Sequence, residues 1–176
     1  MNLSKQDILT RLERLDLRVA AEFDDFDGRF TLIIVGGGAL VLLDYITRAT
    51  NDIDVLEVSQ NLYKFIEQYD INGRANAHIF SYLYNFLDRV ELVWSGLKVD
   101  YYVASLEDIV VAKISANRGK DLDDLAQVHS FVNWDKLDSL LQDEEELSTL
   151  KMSDRTYSDF KANYESFERR YRPCKY

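Results

Sequence analysis

Three groups of residues have types and spacings suited to chemistry. Gly36, Gly37 and Gly38 directly follow the apolar run Phe30–Val35 and precede a short apolar segment, Ala39–Asp44. A strand-to-helix turn of this kind aims unpaired backbone N–H groups at an anion, and phosphate is the natural occupant. The missing Cβ atoms allow close approach to a ligand. Neither familiar phosphate loop fits. A Walker A loop needs Gly-Lys-Ser/Thr, yet Gly38 is followed by Ala39 and Leu40; the dinucleotide fingerprint needs Gly or Ala where Val41 stands. A tight turn without a ligand is the plain alternative.

The second group is Asp52-Ile53-Asp54. On a strand, residues two apart share a face, so the two carboxylates project together while Ile53 and Val55 pack beneath. At ~4 Å and an effective dielectric near 20, their repulsion costs roughly 4 kcal/mol. A hard divalent cation such as Mg²⁺ removes that cost and completes its shell with substrate phosphates. The third feature is Asp100, in Lys98–Val103, where Lys98, Asp100 and Tyr102 share one face and Val99, Tyr101 and Val103 the other. A carboxylate among such neighbours needs a partner. If its strand lies beside that of Asp52 and Asp54, three carboxylates converge and suit two metal ions. The plain alternatives are a solvated acidic strand end and an Asp100 paired with Lys or Arg. A glycosyltransferase could also use Asp52-x-Asp54, though such catalytic domains are usually longer.

The elements that must position these groups are legible in outline. Ser4 and Asp7 form a capping box for a first helix, whose apolar face is Ile8, Leu12, Leu15 and Val19. Phe30–Val35 predicts a buried strand, and Asp52–Val58 a second. Gln60–Tyr69 predicts a helix closed by Asn72-Gly73, and residues 74–88 fit either a helix or an irregular aromatic segment. Val90–Trp94 and Leu97–Val103 predict strands joined by Ser95-Gly96. Everything after Ser105 reads as helix. One runs from a Ser105–Asp108 cap to about Asn117, with Gly119 as its stop; the others cover Lys120–Phe131, Trp134–Leu147 and Ser153–Tyr171. Strands followed by helices alone give an α+β class, with a boundary at 104/105 between a core over 1–104 and a helical region over 105–176.

Composition narrows the function classes. The 176 residues hold 21 Lys+Arg against 31 Asp+Glu, a formal charge of −10, which argues against broad nonspecific nucleic-acid binding. One cysteine excludes a disulfide framework or a zinc ribbon. No apolar run approaches the roughly 18 residues that cross a membrane, and the charged N-terminus lacks a signal-peptide core, so a cytoplasmic protein is expected.

The combination resembles the nucleotidyltransferases of the DNA-polymerase-β superfamily. Their pattern is a hydrophobic residue, a glycine pair, a short helix, an acidic-x-acidic strand and a later acidic strand. Here it reads Val35-Gly36-Gly37, a helix over 39–45, Asp52-Ile53-Asp54 led in by Arg48–Asn51, and Asp100. The resemblance implies a small mixed sheet with flanking helices, followed by a C-terminal helical bundle. It implies Asp52, Asp54 and Asp100 as catalytic and metal-binding residues for Mg²⁺ or Mn²⁺, and Gly36, Gly37 and Gly38 as the triphosphate turn. Ser105–Lys113, followed by Arg118-Gly-Lys-Asp-Leu-Asp-Asp124, resembles the AbiEii-like toxin branch. That branch implies Lys113, Lys120, Asp121 and Asp124 near the nucleotide, and an NTP as donor. It also implies a tRNA-like RNA or a protein as acceptor, and an antitoxin as partner. Gly38 departs from the branch, where Ser or Thr often follows the glycine pair. A catalytically silent nucleotide-binding module, antitoxin-like, is the alternative, and an intact carboxylate trio is the feature that discriminates against it.

The remaining candidates read as structural. His78 and His129 lack metal-ligand spacing. Cys174 reads as an exposed terminal thiol, and residues 143–146 as a solvated acidic helix face. The basic stretch 169–176 suits a helix C-terminus or a phosphate backbone. Phe80, Tyr82, Tyr84 and Phe86 read as core or as a base-stacking wall.

Overall fold

The computed structural model describes residues 3–56 and 58–174, with the side chains of Asn76 and Ala77 left aside. It divides into two compact units: residues up to Ile79 with Arg89–Ala104, and Phe80–Asp88 with Ser105 onward. Segment 80–88 thus groups with the helices rather than with the expected 1–104 core.

The first unit opens with helix α1, Lys5–Glu22. Its capping box forms: the Ser4 backbone N–H donates to Asp7 at 2.9 Å, and the Asp7 N–H donates back to Ser4 Oγ. Ile8, Leu12, Leu15 and Val19 are all buried, as their spacing predicts. Strand β1, Phe30–Val35, runs straight into helix α2, Gly36–Leu42. The helix therefore starts at the glycines rather than at Ala39. It ends before Asp44, which takes the left-handed conformation at φ 59°.

Strand β2 is Ile53–Leu56, shorter than expected; Glu57, within the expected strand, lies outside the described residues. The helix expected over 60–69 is broken into a 3₁₀ turn, the single α-turn α3 (Tyr63–Ile66) and another 3₁₀ turn, closed by Asp70 at φ 54°. The two-residue strand β3, Ile71–Asn72, follows, and then 3₁₀ structure over Gly73–Ser81. Strands β4, Glu91–Ser95, and β5, Val99–Val103, form the expected hairpin, with an irregularity between Leu92 and Trp94.

The sheet order is β3-β2-β1-β5-β4. Strand β1 pairs antiparallel with β2 and parallel with β5, so the sheet is mixed. One face carries Leu32, Ile34, Ile53, Val55, Val99 and Tyr101, all fully buried. Helix α1 covers it, and the Tyr101 hydroxyl donates to the Leu12 carbonyl at 2.8 Å. Burial, then the nearby Asp16 charge, pushes the Tyr101 pKa upward. Asp16 itself is buried, and its carboxylate accepts the N–H groups of Leu97, Lys98 and Val99 at 2.6–2.9 Å. A Cβ on Gly96 would meet that carboxylate at 2.4 Å, so the hairpin turn accepts only glycine there.

The second unit is helical. Helix α4, Leu106–Ala116, is capped by Ser105, whose Oγ accepts the Asp108 N–H. It stops at Asn117 in the left-handed conformation; Gly119 instead opens α5, Gly119–Val128. Helix α6, Trp134–Gln142, ends five residues before the expected Leu147, and α7 spans Asp154–Tyr171 behind a Ser153 cap. Glu146 corrects the expectation of a solvated acidic run: it is buried and accepts the Asn85 N–H at 3.1 Å. Tyr82 and Phe86 are buried in contact with each other, whereas Phe80 and Tyr84 are exposed. Among the described residues, no helix is long and apolar enough to cross a membrane.

Candidate functional site

The glycine turn and the Asp-x-Asp segment meet in the first unit. Val35, the last residue of β1, is the register partner of Asp54 on β2. Gly36 follows at φ 63°, a conformation that disfavours any residue with a Cβ. A Cβ there would sit 3.4 Å from Asp54 Oδ2. On Gly37 it would lie 3.1 Å from Thr50 Oγ1 and 3.6 Å from Arg48 Nη2, and on Gly38 3.6 Å from the Asp52 carbonyl. All three glycines therefore pack against the run from Arg48 to Asp54. Gly38 is buried in that contact, whereas Gly36 and Gly37 keep partial exposure.

The run itself is pinned. Thr50 forms a backbone bridge to Leu3, and its hydroxyl donates to the Asp52 carbonyl at 3.2 Å. Asp54 takes the face of β2 opposite the buried Ile53 and Val55, and Asp52 immediately precedes the strand. Both carboxylates are half-buried.

Asp54 is oriented by a residue that the sequence reading used only as a turn former. Asn72 pairs with Asp54 in register, and its Nδ2 donates to Asp54 Oδ1 at 2.7 Å. The Asn72 Oδ1 accepts the Arg74 N–H at 3.0 Å, which fixes the amide orientation. Asp54 thus has Oδ1 held by Asn72 and Oδ2 turned toward the glycine turn. No local signal marks Asn72 for this task, because it depends on a two-residue strand pairing with β2.

Asp100 does not join them, which corrects the expected trio. Strand β1 separates β5 from β2, and Asp100 pairs with Thr31, four residues before Val35. At about 3.3 Å per residue this offset is roughly 13 Å along the sheet. Asp100 is instead held by Arg29, whose Nε and Nη2 donate to its two oxygens at 2.9 and 2.7 Å, and by the Ser95 hydroxyl. The Arg29 hydrogen bond, then that of Ser95, keeps the Asp100 carboxyl below the usual carboxylate range. The plain alternative, an Asp paired with a cation, describes it. Among the described residues no group of three His, Cys, Asp or Glu side chains could hold a metal ion.

In the second unit Lys113, Asp121 and Asp124 do come together, but on one another. Lys113 Nζ lies 3.0 Å from Asp121 Oδ1 and 2.7 Å from Asp124 Oδ2, with side-chain exposures of 7%, 0% and 0%. Arg118 Nε adds a bond to Asp121 at 2.7 Å. Burial alone would raise the Asp121 pKa; the Arg118 bond and the Lys113 charge outweigh it and hold the carboxyl low. The expectation of a lysine presented to phosphate is corrected for Lys113, which is consumed by buried carboxylates. Asp121 and Asp124 are fully buried. Lys120 is exposed.

The other candidates are structural. The His129 ring stacks on Tyr171 and its Nδ1 lies 2.9 Å from the Ala126 carbonyl. Cys174 is exposed, as expected. In the basic tail, Arg172 is bound by Asp138 and Glu168, which raise its pKa. Lys175 and Tyr176 lie outside the described residues.

A mixed five-stranded sheet, a glycine turn against an Asp-x-Asp strand and trailing helices together are consistent with the nucleotidyltransferase fold. The family described as nucleotidyltransferase of unknown function (DUF6036) matches residues 10–172, and the chain belongs to it. No curated protein and no solved structure matches the chain.

Proposed function

We propose that the chain transfers a nucleoside monophosphate from an NTP to an acceptor hydroxyl, with Asp52 and Asp54 holding a Mg²⁺ or Mn²⁺ ion. The observation that carries this reading is the Asp54 carboxylate, fixed by Asn72 on one oxygen and turned toward Gly36 on the other. The donor set fits the ion: Mg²⁺ takes one or two carboxylates and fills its shell with water and substrate phosphates. Bound there, the ion supplies charge neutralisation at the reacting phosphate. Gly36 and Gly37 leave room for the triphosphate to approach the backbone. The acceptor oxygen forms a bond to the α-phosphorus and gives its proton to solvent water, and the bond from that phosphorus to pyrophosphate breaks. Asp100, expected at a second metal, stays with Arg29 and is given no part in the step. The resemblance to AbiEii-like enzymes supports an RNA 3′ end or a protein side chain as acceptor, and a toxin paired with an antitoxin.

The displaced Asp100 favours a second reading, a nucleotide-binding module that turns nothing over. One experiment separates the two. The chain and its Asp54→Asn variant are incubated with each labelled NTP, Mg²⁺, total RNA and lysate. Transfer and pyrophosphate release that fall at least a hundredfold in Asp54→Asn, with unchanged circular dichroism, support the enzyme. Undiminished activity in the variant sinks the mechanism. NTP binding without pyrophosphate release supports the silent module.

A further inference from the structure

In the second unit, α4, α5 and α7 line a cavity of about 280 Å³ that the proposed transfer does not use. Ile114, Leu125 and Phe167 give it a buried apolar wall, and Leu122, 50% exposed, completes the apolar lining toward solvent. Close-packed interiors hold few voids larger than a water molecule. A cavity of about 150 Å³ takes a benzene ring. The volume here therefore suits one ring, or a short alkyl chain, with a polar arm.

The polar lining is rich in donors. Asn163 Nδ2 donates to the Ile114 carbonyl near the end of α4 at 3.1 Å, and Asn163 Oδ1 accepts from Asn117 Nδ2 at 3.1 Å. These bonds fix both amides, and each Nδ2 keeps a second N–H. Arg170 adds a guanidinium fork. It lies over the Tyr171 ring, 5.2 Å from the centroid, and among the described residues no carboxylate pairs with it. Arg172 shows the contrast, because Asp138 and Glu168 hold it. Among the described residues that line the cavity, Arg170 alone carries a charge. One guanidinium fork matches one planar carboxylate in charge and in geometry. A phosphate dianion would keep a net negative charge beside the carbonyl end of α4, which disfavours it. A neutral or cationic compound would leave Arg170 unmatched.

We propose that this cavity binds a small monocarboxylic acid with an apolar body, its carboxylate on Arg170 and its ring or alkyl chain against Ile114, Leu125 and Phe167. The assignment does not depend on the nucleotidyltransferase reading, because no side chain it uses belongs to the glycine turn or to β2.

The probes are phenylpropionate, phenylpropionamide and phenylpropylamine, which share a ring and differ in charge. Each is titrated into the full chain. Calorimetry gives the affinity, and tryptophan emission gives the place, because Trp134 stacks on Phe167 with centroids 5.4 Å apart. The acid is expected to bind with a Kd below about 1 mM and to change an emission that Trp134→Phe abolishes. Loss of the charged hydrogen bond predicts binding weaker by roughly tenfold to a hundredfold for the amide, for the amine and for the acid with Arg170→Gln. Arg170→Lys recovers part of it, because it keeps the charge and loses the fork. Leu122→Asp places a carboxylate in the lining and weakens the acid by repulsion; it carries the test if thermal melting shows Arg170→Gln unfolded. A Kd for the acid above about 1 mM, equal affinities for acid and amide, or unchanged affinity in a folded Arg170→Gln or Leu122→Asp overturns the assignment. Binding that leaves the Trp134 emission unchanged places the acid elsewhere and overturns it too.

Discussion

Replacing Lys113 with Met tests whether the buried cluster of the second unit is a structural ion network. Methionine keeps the length and apolar stem of the side chain, so packing changes little. It removes a cation that touches both Asp121 and Asp124. At 2.7 Å and an effective dielectric of about 20, the Lys113–Asp124 attraction is about 6 kcal/mol gross. Desolvation of the three charges offsets much of it while the network is intact. The truncation loses the attraction and keeps two carboxylates buried, which costs about 3–5 kcal/mol. Arg118 remains on Asp121 and offsets part of the loss there. Urea denaturation at pH 7, followed by far-ultraviolet dichroism, measures the difference.

The same cluster fixes a pH signature. Asp121 has a folded pKa below the ordinary 3.8, so its stabilisation is complete above the unfolded value and is lost as pH falls through the depressed folded one. Without Lys113 a force that holds the carboxyl low is gone while burial still raises it, so the variant takes up protons at higher pH. The deficit of Lys113→Met is therefore largest near neutrality and narrows on acidification below the ordinary carboxylate range. A deficit under about 1 kcal/mol at pH 7, or one that does not narrow in acid, refutes the reasoning. It would also return Lys113 to the set of cations available to a ligand.

Three further outcomes follow from particular contacts. Asn72→Ala frees the Asp54 carboxylate to rotate and lowers nucleotidyl transfer by roughly 10–100-fold; unchanged kcat/KM in a steady-state assay counts against the orienting role. Gly36→Ala forces a Cβ into a left-handed conformation 3.4 Å from Asp54 and costs roughly 1–2 kcal/mol by urea denaturation. A neutral result there means that the turn relaxes. Gly96→Ala drives a methyl into the Asp16 carboxylate and costs about 1–3 kcal/mol from overpacking. Asp16→Asn, which keeps the volume and loses the charge, shows by the same measurement how much of that loss belongs to the three N–H bonds.

Local pattern determines what depends on neighbours in sequence. The α1 face, the Ser4–Asp7 box, the span of β1, the alternation of β5 and the Ser105 and Ser153 caps follow from periods of 3.6 and 2 and from side chains reaching three residues along. The glycine turn and the Asp-x-Asp segment were each legible for the same reason, whereas their meeting depends on the antiparallel pairing of β1 with β2 across a connection that holds α2. Helix ends were less legible, because Asp44, Asp70 and Asn117 leave the helical conformation with positive φ that their types permit but do not require.

Partnership across the sheet was decided by tertiary structure alone. Asp100 and Asp54 each occupy the expected face of their strands, yet β1 lies between them and its register sets them four residues apart. Lys113 carries the same charge whether it faces phosphate or Asp121 and Asp124; packing of α4 with α5 decides which. Asn72 becomes an orienting residue only because β3 aligns with β2. Sequence sets which groups stand on a face, since that is a property of one strand or helix. Which charge meets which is set by strand order and register, because Coulomb and hydrogen-bond energies depend on distances that only the assembled fold defines.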